Sequence, residues 1–581
     1  MSKPTTTPQL KQPSVFGLLG PYRKLVIGLV LLTVAANALS LVLPLMISRG
    51  IDAYSAGTLH LGRLSWEFIA IALFIFVFTY LQSVVQAYAS ERVARDLRTQ
   101  VTAKISEQTY AFVQKITPAK LLTNLTADID SIKMFVAQAI AALISSAVII
   151  VGASTLLLII DWRLGLSVLA LLTIIAVVFS FVLGKVRALF LKSREVLDKL
   201  NRVINESILG AALIRVLNST SNENAKFQVA NTEAKNLGLR ILALFATMIP
   251  IVTFVANMGT VIILTLGGWF VINGSLSVGD FAAFMSYLVI LIFPIFVIGF
   301  MSNIIAQATA SYQRIREVID APVAAAPGTK QATLRGDVAM QNVSIVYGEK
   351  QALKDANFAI KAGTRTAIIG PTAAGKTQLL YALTGLIKPQ TGTVLFDGEP
   401  IETYDPATLH AQVGFVFQDS IIFNLSVREN IAFSSTVTDA DLAKALDTAE
   451  LTEFINNLPE KLNTIVSERG TSLSGGQKQR LMLARALTLN PKVLLLDDFT
   501  ARVDTHTEQK ILANIARNYP NLTLISVTQK LAAVEAYDQI IVLMEGEVLA
   551  AGTHAVLMES SPEYVQIYNS QQSTNAYDVH V

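Results

Sequence analysis

Two stretches of this 581-residue chain have the residue types and spacing to handle phosphate. Gly370-Pro371-Thr372-Ala373-Ala374-Gly375-Lys376-Thr377 fits the pattern G-x-x-x-x-G-K-[ST]. A strand-like run, Thr366-Ala367-Ile368-Ile369, precedes it, and a helix-like run, Gln378 to Leu386, follows. That strand, loop and helix are the context in which such a loop cradles phosphate. Its backbone amides and the start of the helix can face phosphate oxygens. Lys376 is then placed to hold the β- and γ-phosphates, and Thr377 to hold Mg²⁺. About a hundred residues downstream stands Leu473-Ser474-Gly475-Gly476-Gln477.

Together the two stretches resemble the nucleotide-binding domain of an ATP-binding cassette (ABC) transporter. The resemblance implies roles for further residues. Tyr347 stands where the family stacks an aromatic ring on adenine, and Gln378 completes the ATP-binding set begun by Gly370 to Thr377. Gln418, in Val416-Phe417-Gln418-Asp419, matches the Q-loop, which implies contact with Mg²⁺ and a place beside the reacting water. Val493-Leu494-Leu495-Leu496-Asp497 matches Walker B, with Asp497 as a Mg²⁺ ligand. Asp504, in Ala501-Arg502-Val503-Asp504, occupies the D-loop position. Ser467-Glu468-Arg469-Gly470 resembles the exporter segment before the signature. Taken singly, Val493–Leu496 fits any buried parallel strand, and Tyr347 any core aromatic. Their order and spacing favour the functional reading.

Three positions depart from the family pattern. After Asp497 the family usually has Glu to polarise the attacking water, and this chain has Asp498. One methylene fewer sets the carboxylate back by about 1.5 Å, and misplacement on that scale can cost about a hundredfold in rate. The switch position after Ile525-Ser526-Val527-Thr528 is normally His, and here it is Gln529. Gln can donate to a γ-phosphate but cannot carry charge or shuttle a proton. Ala373 replaces a glycine common in the family's loop.

The family builds composite sites, in which one chain's phosphate loop faces the other chain's signature. A chain with an altered Walker side but intact Ser474, Gly475, Gly476 and Gln477 therefore resembles one half of a heterodimeric, multidrug-type bacterial exporter. Its own site would be degenerate, with Asp498, Gln529 and Gln418 as its catalytic positions, and its signature would complete a partner's competent site. The alternatives are a homodimeric exporter of lipid or peptide, and a regulatory subunit that holds ATP without turnover.

Composition bounds the remainder. Lys and Arg number 46 against 43 Asp and Glu, a formal net charge of +3, which suggests no nucleic-acid partner. Only 15% of residues are charged, low for a soluble protein, and mean hydropathy is +0.50. With no cysteine, disulfides and thiolate metal sites are excluded. Six stretches are long enough to span a bilayer: about 25–48, 64–90, 135–160, 162–184, 243–272 and 280–304. Ala36-Asn37-Ala38 resembles a signal-peptide cleavage site, but the apolar run continues through Ile47, longer than a signal h-region.

Orientation follows from Lys and Arg. The segment between spans two and three carries Arg92, Arg95, Arg98, Lys104, Lys115 and Lys120, and the segment between spans four and five is likewise basic. The loop Asn273–Gly279 carries none. Both basic segments, both termini and the cassette are thus expected in the cytoplasm of a multi-pass cell-membrane protein. Unbroken helical patterning predicts helices that run on from the membrane into the cytosol. The family places coupling helices at turns matching Pro118–Thr123 and Ser219–Asn224. Charged relays are missing from the spans. Polar positions there are mostly amides, among them Asn37, Gln82, Gln86, Gln138, Asn257, Asn303 and Gln307. Most read as glue between helices, and the span composition suits a small hydrophobic or amphipathic substrate.

The expected fold is an all-α transmembrane domain of six helices followed by an α/β P-loop nucleotide-binding domain. The cassette should hold a parallel core sheet, an antiparallel subdomain and a helical subdomain. The expected division is an N-terminal tail 1–24, with 1–14 disordered, a transmembrane domain 25–321, a linker 322–334, a cassette 335–571 and a tail 572–581.

Overall fold

A computed structural model describes residues 15–322, 328–347, 350–466 and 473–578. The predicted disordered tail Met1–Ser14, the linker residue Pro327 and the segment Ser467-Glu468-Arg469-Gly470 lie outside the described residues. The chain divides into two compact units, 1–106 with 116–322, and 107–115 with 323–581.

In the first unit, six helices among the described residues are long and apolar enough to cross a membrane. They run Gly17–Ser55, Leu61–Ser106, Pro118–Ile160, Trp162–Leu209, Thr220–Ile272 and Val278–Ile319. Each contains one predicted span. Only Asp161 separates the third from the fourth, and its carboxylate caps the fourth by accepting from the Arg163 and Leu164 amides at 2.9 and 3.1 Å. The second helix has 46 residues, about 69 Å at ~1.5 Å per residue, so much of it lies beyond a ~30 Å hydrocarbon core.

The amides serve as internal glue where the structure gives their partners. Gln86 donates to the Ala137 carbonyl, which lies in a π-helical turn, Phe135–Ala139. Asn37 donates to the Thr33 carbonyl at 2.6 Å and accepts from Ser145 at 2.7 Å.

The third and sixth helices are also joined by a charged pair. Asp128, with a side chain 3% exposed, accepts from Ser311 at 2.9 Å and from both forks of the Arg314 guanidinium. Arg314 is 43% exposed and can turn to water, whereas Asp128 cannot. Arg314→Ala is therefore expected to destabilise the protein by about 3 kcal/mol, because it strands a buried charge. Asp128→Ala should cost clearly less. Denaturant unfolding of the purified variants checks the asymmetry, and equal losses would show that the carboxylate is hydrated.

The expected coupling turns fall differently. Pro118–Thr123 opens the third membrane helix, with Thr117 as N-cap and Pro118 in the first turn. Those are helix-start signals. The segment that belongs to the second unit is 107–115, which holds most of the short helix Tyr110–Ile116. Ser219–Asn224 likewise opens the fifth membrane helix, and the short helix before it is Ala211–Val216.

The second unit contains two sheets. One is antiparallel, with strand order β2-β1-β4-β5: β1 Val338–Tyr347, β2 Lys350–Ile360, β4 Thr391–Phe396 and β5 Glu399–Pro400. The other has order β10-β9-β3-β8-β7-β6: β3 Arg365–Ile369, β6 Val413–Val416, β7 Val493–Asp497, β8 Thr523–Val527, β9 Gln539–Met544 and β10 Glu547–Gly552. All neighbours in this sheet pair in parallel except β10, which runs antiparallel along β9. Every residue of β7 and β8 is buried, as strands inside a parallel sheet covered on both faces are.

The described chain joins this unit before residue 335. Lys330 donates to the Thr403 carbonyl at 3.0 Å, and Leu334 donates to Gln412 at 2.8 Å. At the other end, the helix Pro562–Asp578 runs past residue 571.

Candidate nucleotide site

The carboxyl ends of four neighbouring parallel strands carry four of the sequence motifs. The phosphate loop follows β3, Gln418 follows β6, Asp497 ends β7 with Asp498 just after it, and Gln529 follows β8. In open α/β sheets this edge is where ligands sit. Thr372 to Gln378, Gln418, Asp497, Asp498, Val527 and Gln529 line a single cavity of about 100 Å³. Gly370 and Pro371 border a second cavity of about 410 Å³, together with Thr528, Gln529 and one face of the C-terminal helix.

The loop's shape is set by its backbone. Gly375 has φ +98° and caps the helix Lys376–Leu383, and a Cβ there would lie 2.2 Å from the Ala352 carbonyl oxygen. Only glycine fits both constraints. Lys376 is 8% exposed, and its ammonium donates to the Gly370 and Pro371 carbonyls at 2.8 and 2.7 Å. Burial pushes its pKa down, and Asp498 and Asp497 push it back up.

Ala373 is left-handed, with φ +65°. The glycine common in the family at this position would adopt that angle freely. Ala373→Gly is expected to relieve about 1–2 kcal/mol of backbone strain, which outweighs about 0.4–1 kcal/mol for the looser unfolded chain. A raised thermal midpoint checks this, and a lowered one contradicts it.

The acidic end of the cavity suits a divalent cation. Asp497 is 2% exposed, and its Oδ2 has no hydrogen-bond partner. Burial raises its pKa and the Thr377 hydroxyl opposes that rise. An orphaned buried carboxylate oxygen beside a hydroxyl is the hard-oxygen donor set that Mg²⁺ takes. Asp498 sits at φ +48°, ψ +37°, with its amide bonded to the Val527 carbonyl at 3.0 Å. Burial raises its pKa too, against Lys376 and Lys530.

The other predicted residues lie elsewhere. Tyr347 ends β1, and its side chain lies outside the described part. Ser474, Gly475, Gly476 and Gln477 start the helix Gly475–Leu487 and do not line the cavity. Ser474 accepts from the Gln477 amide at 3.2 Å, and Gln477 Oε1 accepts from the Ser474 amide at 2.8 Å. The signature is therefore itself a capping box. With those groups satisfied within the motif, the glycine amides remain at a positive helix end. Asp504 caps the helix Thr505–Asn518 through the Thr507 amide at 2.9 Å.

Several supporting residues were not anticipated. Lys530, next to Gln529, donates to the Thr500 carbonyl at 3.1 Å and pairs with buried Glu508 at 3.6 Å. Gln479 on the signature helix donates to the Gln418 carbonyl at 3.2 Å. Tyr110 meets Tyr381 edge-on at 5.5 Å, and the aromatic run continues through Phe415 to Phe417 beside Gln418. Adjacency to Gln529 is a signal that marks Lys530. The others depend on long-range packing.

Comparison with known proteins agrees with this geometry. Residues 26–295 match the family described as ABC transporter transmembrane region, and residues 353–501 match the family described as ABC transporter. The uncharacterized ABC transporter ATP-binding protein YfiB of Bacillus subtilis is 31% identical, over 95% of this chain and 97% of its own length. An ATP-dependent lipid A-core flippase of Syntrophus aciditrophicus is 28% identical, over 87% of this chain and 86% of its own. A solved structure of a bacterial Atm1-family ABC exporter with ATP bound superposes with a TM-score of 0.75 at 24% identity, covering 94% of this chain and 98% of that one.

Proposed function

The chain belongs to the ABC transporter family, and from that premise we propose that it is the degenerate-site half of a heterodimeric exporter. It binds Mg-ATP at its own Walker site, turns it over slowly there, and lends Ser474 to Gln477 to a faster site on its partner. Its cassette and both termini face the cytoplasm. The cargo is a small hydrophobic or amphipathic molecule taken from the cytoplasm or the inner leaflet, a class suited to spans without charged relays.

The observation that carries this reading is the contrast within one cassette. Asp498 and Gln529 line the same cavity as an otherwise complete phosphate loop, while the signature is intact and capped by its own residues. In that cavity Lys376 would turn from the loop carbonyls to the β- and γ-phosphates. Asp497, Thr377 and Gln418 would hold Mg²⁺, which offsets phosphate charge. Asp498 would orient water from too far back, and Gln529 would donate to the γ-phosphate without relaying a proton.

Purified alone, the chain should retain Mg-ATP but hydrolyse it roughly a hundredfold more slowly than a complete site, the cost of a carboxylate misplaced by about an ångström. Nucleotide retention and phosphate release measured on the same sample test this. Family-typical ATPase rates from the isolated chain would return the reading to a homodimer with two competent sites.

A further inference from the structure

The C-terminal helix Pro562–Asp578 packs on the cassette core through Tyr564, which is fully buried, and through Ile567 and Tyr568. These positions are i, i+3 and i+4 of an inward stripe, and the i+7 position is Gln571. Gln571 is itself only half-buried. Gln571 bonds both ends of its amide to the switch loop. Its Oε1 accepts from the Leu531 amide at 3.0 Å, and its Nε2 donates to the Gln529 carbonyl at 2.5 Å. Reversing the amide would set donor against donor and acceptor against acceptor, so the match is specific to this orientation.

The two bonds straddle Lys530, whose ammonium separately ties the same loop to the Thr500 carbonyl. The backbone that carries the Gln529 side chain is thereby held at Gln529 and at Leu531. That side chain lines the cavity with Lys376 and Asp498. On the C-terminal helix's side, the cavity of about 410 Å³ leaves the loop without continuous apolar packing.

We propose that Gln571 is a positioning residue: it clamps the switch-loop backbone so that the Gln529 amide is set for a γ-phosphate, and thereby makes the C-terminal helix part of how the site distinguishes ATP from ADP. The inference rests on nucleotide occupying this Walker site and is independent of how fast the site hydrolyses it.

The test uses the purified full-length chain with Mg²⁺, measuring dissociation constants for ATPγS and ADP by displacement of a fluorescent nucleotide. Gln571→Leu keeps the apolar stripe and removes both bonds. Gln571→Glu keeps the shape and sets a carboxylate oxygen against the Gln529 carbonyl. Both variants are expected to weaken ATPγS by about tenfold, the scale of one lost hydrogen bond to a charged group, while ADP changes by less than about twofold. In a Gln529→Ala background, Gln571→Leu should cause no further loss, because the group it positions is gone. Equal weakening of both nucleotides would mark a merely structural role and overturn the proposal, as would additive losses or no change. If the wild-type chain binds neither nucleotide, the Walker-site reading falls and the clamp falls with it.

Discussion

Ser474→Arg is expected to lower ATP turnover of the assembled transporter by at least about a hundredfold, the scale seen when one preorganised donor to a transition-state oxygen is removed. Ser474 is the N-cap of the signature helix and one half of its capping box with Gln477. Arginine removes the hydroxyl, unbalances the cap and extends a long cation over the glycine amides that would face the partner's γ-phosphate. On the proposed division of labour, Asp498→Asn in the same chain should reduce turnover only severalfold, since that carboxylate serves the slower site. Two companions separate chemistry from folding. Ser474→Ala removes the hydroxyl and its cap, about 1 kcal/mol, without adding a cation, and should leave the chain folded. Gly476→Ala would bring a Cβ within 2.9 Å of the Arg502 carbonyl oxygen, so it tests the close approach of signature and D-loop. Equal loss of turnover from Ser474→Arg and Asp498→Asn would contradict the assignment.

Restoring both missing groups, with Asp498→Glu and Gln529→His, should shorten nucleotide residence at this chain's site by about a hundredfold. The longer carboxylate recovers about 1.5 Å of reach, and histidine restores a group that can carry charge at the γ-phosphate. Neither change alone should suffice. A positioned water still needs the switch contact, and the switch contact has no use without a positioned water. Position 498 adds a small cost, because the left-handed backbone there, φ +48°, suits Asp better than Glu. A chase of labelled nucleotide from the proposed heterodimer reads the outcome. If the wild-type complex releases the nucleotides of its two sites at the same rate, this site does not hold ATP longer than its partner's and Asp498 and Gln529 are tolerated variants.

Much of this was legible in the residues because its causes are local. The phosphate loop needs glycine at position 375 for its angle and for its approach to Ala352, so the motif is close to a statement of backbone geometry. The signature was readable for a similar reason, since serine and glutamine three apart are a helix-start pattern whatever their later use. The six spans followed from length and hydropathy. Boundaries that depend on packing were less visible. Pro118–Thr123 read as a turn, although Thr117 before Pro118 starts a helix there. The chain from 328 to 334 read as linker, although Lys330 and Leu334 find partners tens of residues away. Gln571 could have been noticed as the polar member of an apolar stripe, but its partners, Gln529 and Leu531, are known only once the helix is folded back.

The placement of the motifs at four adjacent strand ends bears on how such a subunit changes over time. The sheet supplies position, and each strand end supplies one chemical group. Losing the group does not disturb the position, because β7 and β8 are buried along their whole lengths. A site substituted at such strand ends does not decay into an unrelated surface. Aspartate and glutamate, like glutamine and histidine, are each separated by one third-position base in the genetic code. The Asp498 and Gln529 substitutions are thus two point mutations from reversal, and on the proposed reading such a chain can pass between paired and self-sufficient forms without rebuilding its architecture.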